Sequence, residues 1–157
     1  MNEYAATIGQ RLKPNGITIA VAESITAGNL QAAFSSVSGS SAYFRGGVTA
    51  YCLEAKVKLL WVNEEDAKIC NCVSLGVASQ MAMGVRELFD SDIGVATTGY
   101  AELWPDGNIK EPFAYFAIAD NAGYVDGGLV SVPEGLDRVA VQQYVTEYVL
   151  KYLVANL

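Results

Sequence analysis

The chain has 157 residues, 52% of them apolar and 17% charged, with a formal net charge of −7 and no histidine. That length and apolar content fit one domain, residues 1–157, with a well-filled core, and argue against disorder. The acidic balance disfavours nucleic acid or an anionic membrane as main partner, and the missing imidazole excludes a Ser-His-Asp triad and a His-Glu-x-x-His zinc site.

Tyr4, Ile8 and Leu12 recur at four-residue spacing, which predicts an amphipathic helix over residues 2–13, stopped by Pro14-Asn15-Gly16. A buried strand over 17–22 follows. It ends in Glu23-Ser24-Ile25-Thr26-Ala27-Gly28 and turns into a helix over 26–36 with Leu30, Ala33 and Phe34 at helical period, closed by Ser38-Gly39-Ser40-Ser41. Residues 46–51 read as a second strand with a glycine entry, and a helix carrying Lys56, Val57, Leu59 and Leu60 begins just beyond it, with Trp61 continuing its apolar face toward the core.

Ser74 is placed to cap a helix over 75–89, whose apolar face is Val77, Met81, Val85 and Leu88. A short strand over 93–97 ends at Thr98-Gly99, and residues 99–112 form the longest irregular segment, of a length that is more often functional than a spacer. Residues 113–119 and 124–132 predict a hairpin, with Gly127-Gly128 marking a bulge. A closing helix over 137–153 has Val141, Tyr144, Val145, Tyr148 and Tyr152 on its inner side. Strands alternating with helices, then a hairpin and a last helix, predict a three-layer α/β/α domain with a mixed, mostly parallel sheet. In such sheets ligands gather at the carboxyl ends of strands, and the corners at Ser24, Tyr51 and Thr98 are all of that type.

Cys52, Cys70 and Cys72 are an odd number without a Cys-x-x-Cys pair, so reduced thiols are expected, with no metal and no cofactor. Met1-Asn2-Glu3-Tyr4 lacks the cationic and apolar regions of a signal peptide, and no run of about eighteen apolar residues occurs, which makes the cytoplasm the expected location. If Ser24 is a nucleophile, its natural activator is a lysine whose ammonium is destabilised by burial. Taken singly, Ser24 is also a turn or cap serine, Lys56 a surface lysine, and Tyr51 a strand-end aromatic with a wet hydroxyl. Glu23 and Glu54 read as structural acceptors.

Several separate segments agree in order and spacing with one family. Ala22-Glu23-Ser24-x-Thr26-x-Gly28, Gly39-Ser40-Ser41-x-x-Phe44-x-x-Gly47-x-x-x-Tyr51-x-x-Glu54-Ala55-Lys56, Val73-Ser74 and Thr98-Gly99-x-Ala101 resemble the CinA C-terminal domain family over almost the whole chain. That family includes nicotinamide-nucleotide amidases, which convert nicotinamide mononucleotide to nicotinic acid mononucleotide and ammonia on a three-layer α/β fold. The resemblance implies Ser24 as nucleophile, Lys56 as base and Tyr51 as a hydroxyl that orients or relays the proton. It implies Thr26, Gly28, Gly47, Thr98, Gly99 and Arg138 as substrate-binding positions, with Arg138 equally placed to pair with Asp137 or Glu134. A mononucleotide-like substrate and a homo-oligomer are the expected partners.

The chain departs from the family pattern at four places. Ile25 and Ala27 stand where cysteine and glycine are common, and Cys52-Leu53 replace Ser-Asn after the tyrosine. The loop usually read as Thr-Gly-Ile-Ala-Gly-Pro is here Thr98-Gly99-Tyr100-Ala101-Glu102-Leu103, and Gln142 stands where many relatives carry arginine. Glu102 puts a carboxylate where a phosphate is expected, so binding of a mononucleotide requires that it point away or pair. Two functions follow from these residues: a metal-independent amidohydrolase, or a divergent relative that binds a small ligand or a protein without turnover.

Overall fold

The computed structural model describes residues 2–157; the expectation for Met1 lies outside the described residues. Asn2 accepts the Ala5 amide and starts α1, Glu3–Leu12, which closes through a 3-10 turn at Gly16, where φ is +64°. β1, Ile19–Glu23, leads through a turn at 24–28 to α2, Asn29–Ser35. β2, Phe44–Thr49, is followed by α3, Leu53–Leu60, and α4, Glu64–Ile69. Ser74 Oγ accepts the Val77 amide at 3.0 Å and caps α5, Leu75–Leu88, as its position predicted. β3, Ile93–Tyr100, then pairs with β4, Phe113–Asp120, and β4 with β5, Val125–Ser131, before α6, Arg138–Asn156, ends the chain.

The five strands lie in the order β2-β1-β3-β4-β5. β2, β1 and β3 are parallel, and the two antiparallel pairings that follow leave β4 alone reversed, so four strands run one way in a mixed sheet. Side chains alternate along β1: Ile19 and Val21 pack with α1, α2 and α6, whereas Ala20 and Ala22 face α3, α4 and α5. The second face is paved by Ala20, Ala22, Ala96, Ala117 and Ala119, whose small side chains bring α5 close to the sheet. A Cβ at Gly94 would lie 2.0 Å from the Ala82 carbonyl oxygen, so that approach requires glycine.

Several boundaries differ from expectation for identifiable reasons. α2 begins at Asn29 rather than 26, because Ala27 (φ +50°) and Gly28 (φ +101°) are left-handed. β2 starts two residues early, at Phe44, since its ladder with β1 breaks register past Arg45 at Gly46 (φ +136°). The β4–β5 register runs without a bulge through Gly127 and Gly128; a Cβ at Gly127 would meet the Phe116 carbonyl oxygen at 2.2 Å, so that glycine serves close strand approach instead. Trp61 is 61% exposed at the left-handed end of α3, outside the core. In α6 the inner face is Val141, Val145, Val149, Leu150 and Leu153, while Tyr148 and Tyr152 flank it with their edges against Phe116.

The segment 101–112 is not irregular throughout. Trp104 and Ile109 exchange backbone hydrogen bonds of 2.9 Å around a 3-10 turn, Pro105–Gly107. The indole covers Gly107 so closely that a Cβ there would come within 2.1 Å of the ring.

Candidate active site

At the carboxyl end of β1 the Ser24 amide extends the ladder by donating to the Thr97 carbonyl at 3.0 Å. The chain then turns sharply, and the turn is fastened by Glu23. This fully buried carboxylate accepts the Gly28 and Leu30 amides at 3.0 Å each and the Gln31 amide at 2.8 Å. Glu23 is thus the structural acceptor its position suggested, and it consumes the amides at the start of α2 that a helix N-terminus otherwise offers to a ligand.

Lys56 approaches from α3. Its side chain is only 1% exposed, and its Nζ lies 3.0 Å from Ser24 Oγ and donates to the Ala50 carbonyl at 2.8 Å. Ala50 is held in turn, its amide donating to the Glu23 carbonyl at 2.9 Å. The two halves of the pair are therefore fixed from one residue, Glu23, through backbone contacts. Burial pushes the Lys56 ammonium below the ordinary lysine range, against a smaller opposing influence of the Cys72 and Cys52 thiols. A neutral amine beside a hydroxyl, its N–H already directed at a carbonyl, presents its lone pair to that hydroxyl.

Ser24 and Lys56 stand in a cleft of about 340 Å³ whose walls include Tyr51, Cys52, Asn71, Cys72, Thr98, Gly99 and Arg138. Six of the nine expected site residues meet here: Ser24, Lys56, Tyr51, Thr98, Gly99 and Arg138. Tyr51 sits at the rim, 57% exposed, and its hydroxyl accepts from Arg138 Nη2 at 2.6 Å rather than engaging the Ser24–Lys56 pair. Thr98 Oγ1 donates to the Cys72 carbonyl at 2.7 Å and holds that wall in place.

Three expected contacts lie elsewhere. Thr26 is fully buried, its hydroxyl bonded to that of Thr97 at 2.8 Å, beneath the cleft rather than in it. Gly28 supplies the left-handed corner before α2 and gives its amide to Glu23. Gly47 is packed between β1 and α2, where a Cβ would come within 2.6 Å of Val21 Cγ2 and 2.7 Å of Gln31 Cγ. All three shape the scaffold.

Arg138 pairs neither with Asp137 nor with Glu134. Asp137 caps α6 by accepting the Ala140 amide, and Arg138 Nη1 donates to Glu102 Oε2 at 2.8 Å. Asn71 went unread in the sequence, and Cys72 was read as a reduced thiol, not as part of the cleft. Both are left-handed (φ +50° and +63°) and form one wall of the cleft; asparagine tolerates that conformation, but nothing marks the cysteine.

The model of the CinA C-terminal domain family matches residues 1–157. The chain belongs to this family. A CinA-like protein from Rippkaea orientalis is 43% identical over 123 residues, which cover 78% of this chain and 30% of that protein. One from Sulfurihydrogenibium is 37% identical over 162 residues, covering 98% and 39%. The chain thus spans roughly a third of the length of these CinA-like relatives.

Among solved structures, the competence damage-inducible protein A (ComA) of Klebsiella pneumoniae superposes with a TM-score of 0.92 at 26% identity, covering 98% of this chain and 94% of that one. The competence/damage inducible protein CihA of Agrobacterium tumefaciens gives 0.88 at 28% identity, covering 98% and 93%. The three-layer arrangement with its mixed sheet is therefore that of CinA superfamily structures.

Proposed function

We propose that this CinA domain hydrolyses a carboxamide to a carboxylate and ammonia, with Ser24 as nucleophile and Lys56 as the base that activates it. The observation that carries the reading is the 3.0 Å approach of a buried lysine amine to a serine hydroxyl in the cleft. Lys56 takes the Ser24 proton as Oγ bonds to the carboxamide carbon, and the resulting ammonium then protonates the departing nitrogen, which leaves as ammonia. Water, deprotonated by the again neutral Lys56, cleaves the acyl-serine and restores Ser24. The oxyanion falls to the Ile25 amide rather than to the start of α2. Ile25 lines the cleft beside the nucleophile, and its N–H has no acceptor among the described residues.

The resemblance to nicotinamide-nucleotide amidases makes nicotinamide mononucleotide the first carboxamide to try. Ammonia release is measured from this compound and from nicotinamide riboside, with wild type, Ser24→Ala and Lys56→Ala. Turnover by wild type that both variants lose supports the assignment. Turnover retained in either variant removes that residue from the chemistry. A second reading, a ligand-binding or protein-interaction module, draws on the bond of Tyr51 to Arg138 instead of to the Ser24–Lys56 pair. It is favoured by ligand binding without ammonia release.

A further inference from the structure

The cleft does not end at Arg138. A second groove of about 680 Å³ shares Ala101 and Arg138 with it and continues between the segments 101–112 and 132–138. Charge is distributed unevenly across this boundary. Among the described residues, Lys56 and Arg138 are the cationic side chains lining the cleft, and burial drives Lys56 toward its neutral form. The groove beyond carries Glu102, Glu111, Glu134 and Asp137 against Lys110 and Arg138.

Arg138 is therefore the cation a phosphate would need, and its outer nitrogens are already engaged. Nη1 donates to Glu102 at 2.8 Å and Nη2 to the Tyr51 hydroxyl at 2.6 Å. The placement itself calls for an anion, because Arg138 begins a helix of 19 residues, at the end whose dipole disfavours positive charge. Glu102 supplies that anion from a fixed position. On one side Tyr100 ends β3, accepting from Asn71 Nδ2 at 3.1 Å and packing on Phe113; on the other, Trp104 is locked by its reciprocal bonds to Ile109.

We propose that Glu102 is a built-in counter-anion of Arg138 that makes this cleft select carboxamides without phosphate, neutral or cationic nucleoside-like compounds, over phosphate monoesters. The proposal rests on the carboxamide reading above and names its substrate class. The ion pair is partly exposed and contributes little to stability. Its effect is on choice: a monoester carrying about 1.5 to 2 negative charges must displace Glu102 or sit beside it, whereas a cationic ring meets attraction.

The test compares nicotinamide riboside with nicotinamide mononucleotide, by calorimetric binding to Ser24→Ala and by ammonia release from wild type. With Glu102 present the riboside binds at least about tenfold more tightly, and Glu102→Gln in the Ser24→Ala background moves the ratio about tenfold toward the mononucleotide. Equal or tighter binding of the mononucleotide, or a ratio unchanged by Glu102→Gln, overturns the proposal. If ammonia is released and the mononucleotide is preferred, this inference alone fails. If neither compound is bound or hydrolysed, the carboxamide reading fails and takes it along.

Discussion

The buried carboxylate of Glu23 holds the amide of Gln31, eight residues away, at 2.8 Å, and in doing so closes the turn that carries Ser24. With the Gly28 and Leu30 amides, three donors converge on one side chain. Glu23→Gln offers only one acceptor oxygen and turns an NH2 group toward these amides. The expected loss is about 1–3 kcal/mol of stability, read from urea denaturation. On the proposed mechanism the same variant lowers kcat more than it raises KM, since the turn aims Ser24. An unchanged kcat would leave Glu23 a purely structural clamp.

Ala27 is exposed and stands at φ +50°, a conformation that opposes a Cβ, so almost no packing is lost when the methyl is removed. Relief of about 1–2 kcal/mol is set against the added entropy of an unfolded glycine, about 0.4–1 kcal/mol. Ala27→Gly is therefore expected to raise stability by about 0.5–1 kcal/mol, visible as a higher denaturant midpoint at constant slope. A lower midpoint would contradict the backbone account.

Lys56 makes stability and activity depend on pH in linked ways. Its folded pKa lies below the ordinary value of 10.5, so the unfolded chain binds more protons between the two values and stability rises with pH across that window. The penalty is complete below the folded pKa. Lys56→Met removes it, so the Tm of the variant relative to wild type is most favourable at neutral pH and declines as pH rises toward 10.5. In wild type, kcat/KM rises with pH through a pKa below the usual lysine range. A Tm difference independent of pH would show that Lys56 titrates normally.

Gly47 separates packing from binding. Gly47→Ala places a methyl against Val21 and Gln31 and is expected to lower stability by about 1–3 kcal/mol. The folded fraction keeps the KM of wild type, because the residue does not line the cleft. A raised KM with unchanged Tm would restore the substrate contact that its motif position implied.

Spacing and turn residues carried the order of most elements, while the resemblance carried the meeting of Ser24 with Lys56, residues 32 positions apart that no local pattern connects. Periodicity gave the strands and their faces, because alternation and helical spacing survive in residues such as Ile19, Val21, Val77 and Met81. The partners of polar side chains were less legible. Motif position could not tell whether Thr26 faced a ligand or the Thr97 hydroxyl, or which anion Arg138 would choose among Asp137, Glu134 and Glu102. α4 also went unread: its six residues are too few to show a period, and Asn63, whose side chain accepts the Asp66 amide, is its one local mark.

The reversal of β4 does more than complete a sheet. Sending the chain out and back in a hairpin delivers β5, and hence the first residue of α6, to the rim where β1 and β3 end, and in this way Arg138 reaches the cleft. The bend of that hairpin, at 121–123, is exposed at the far rim, anchored by Asn121 to Asp92. The cleft and the chain reversal thus occupy opposite poles of the molecule, which leaves Ala122 and Gly123 as a place to graft a tag or open the chain without disturbing the cleft.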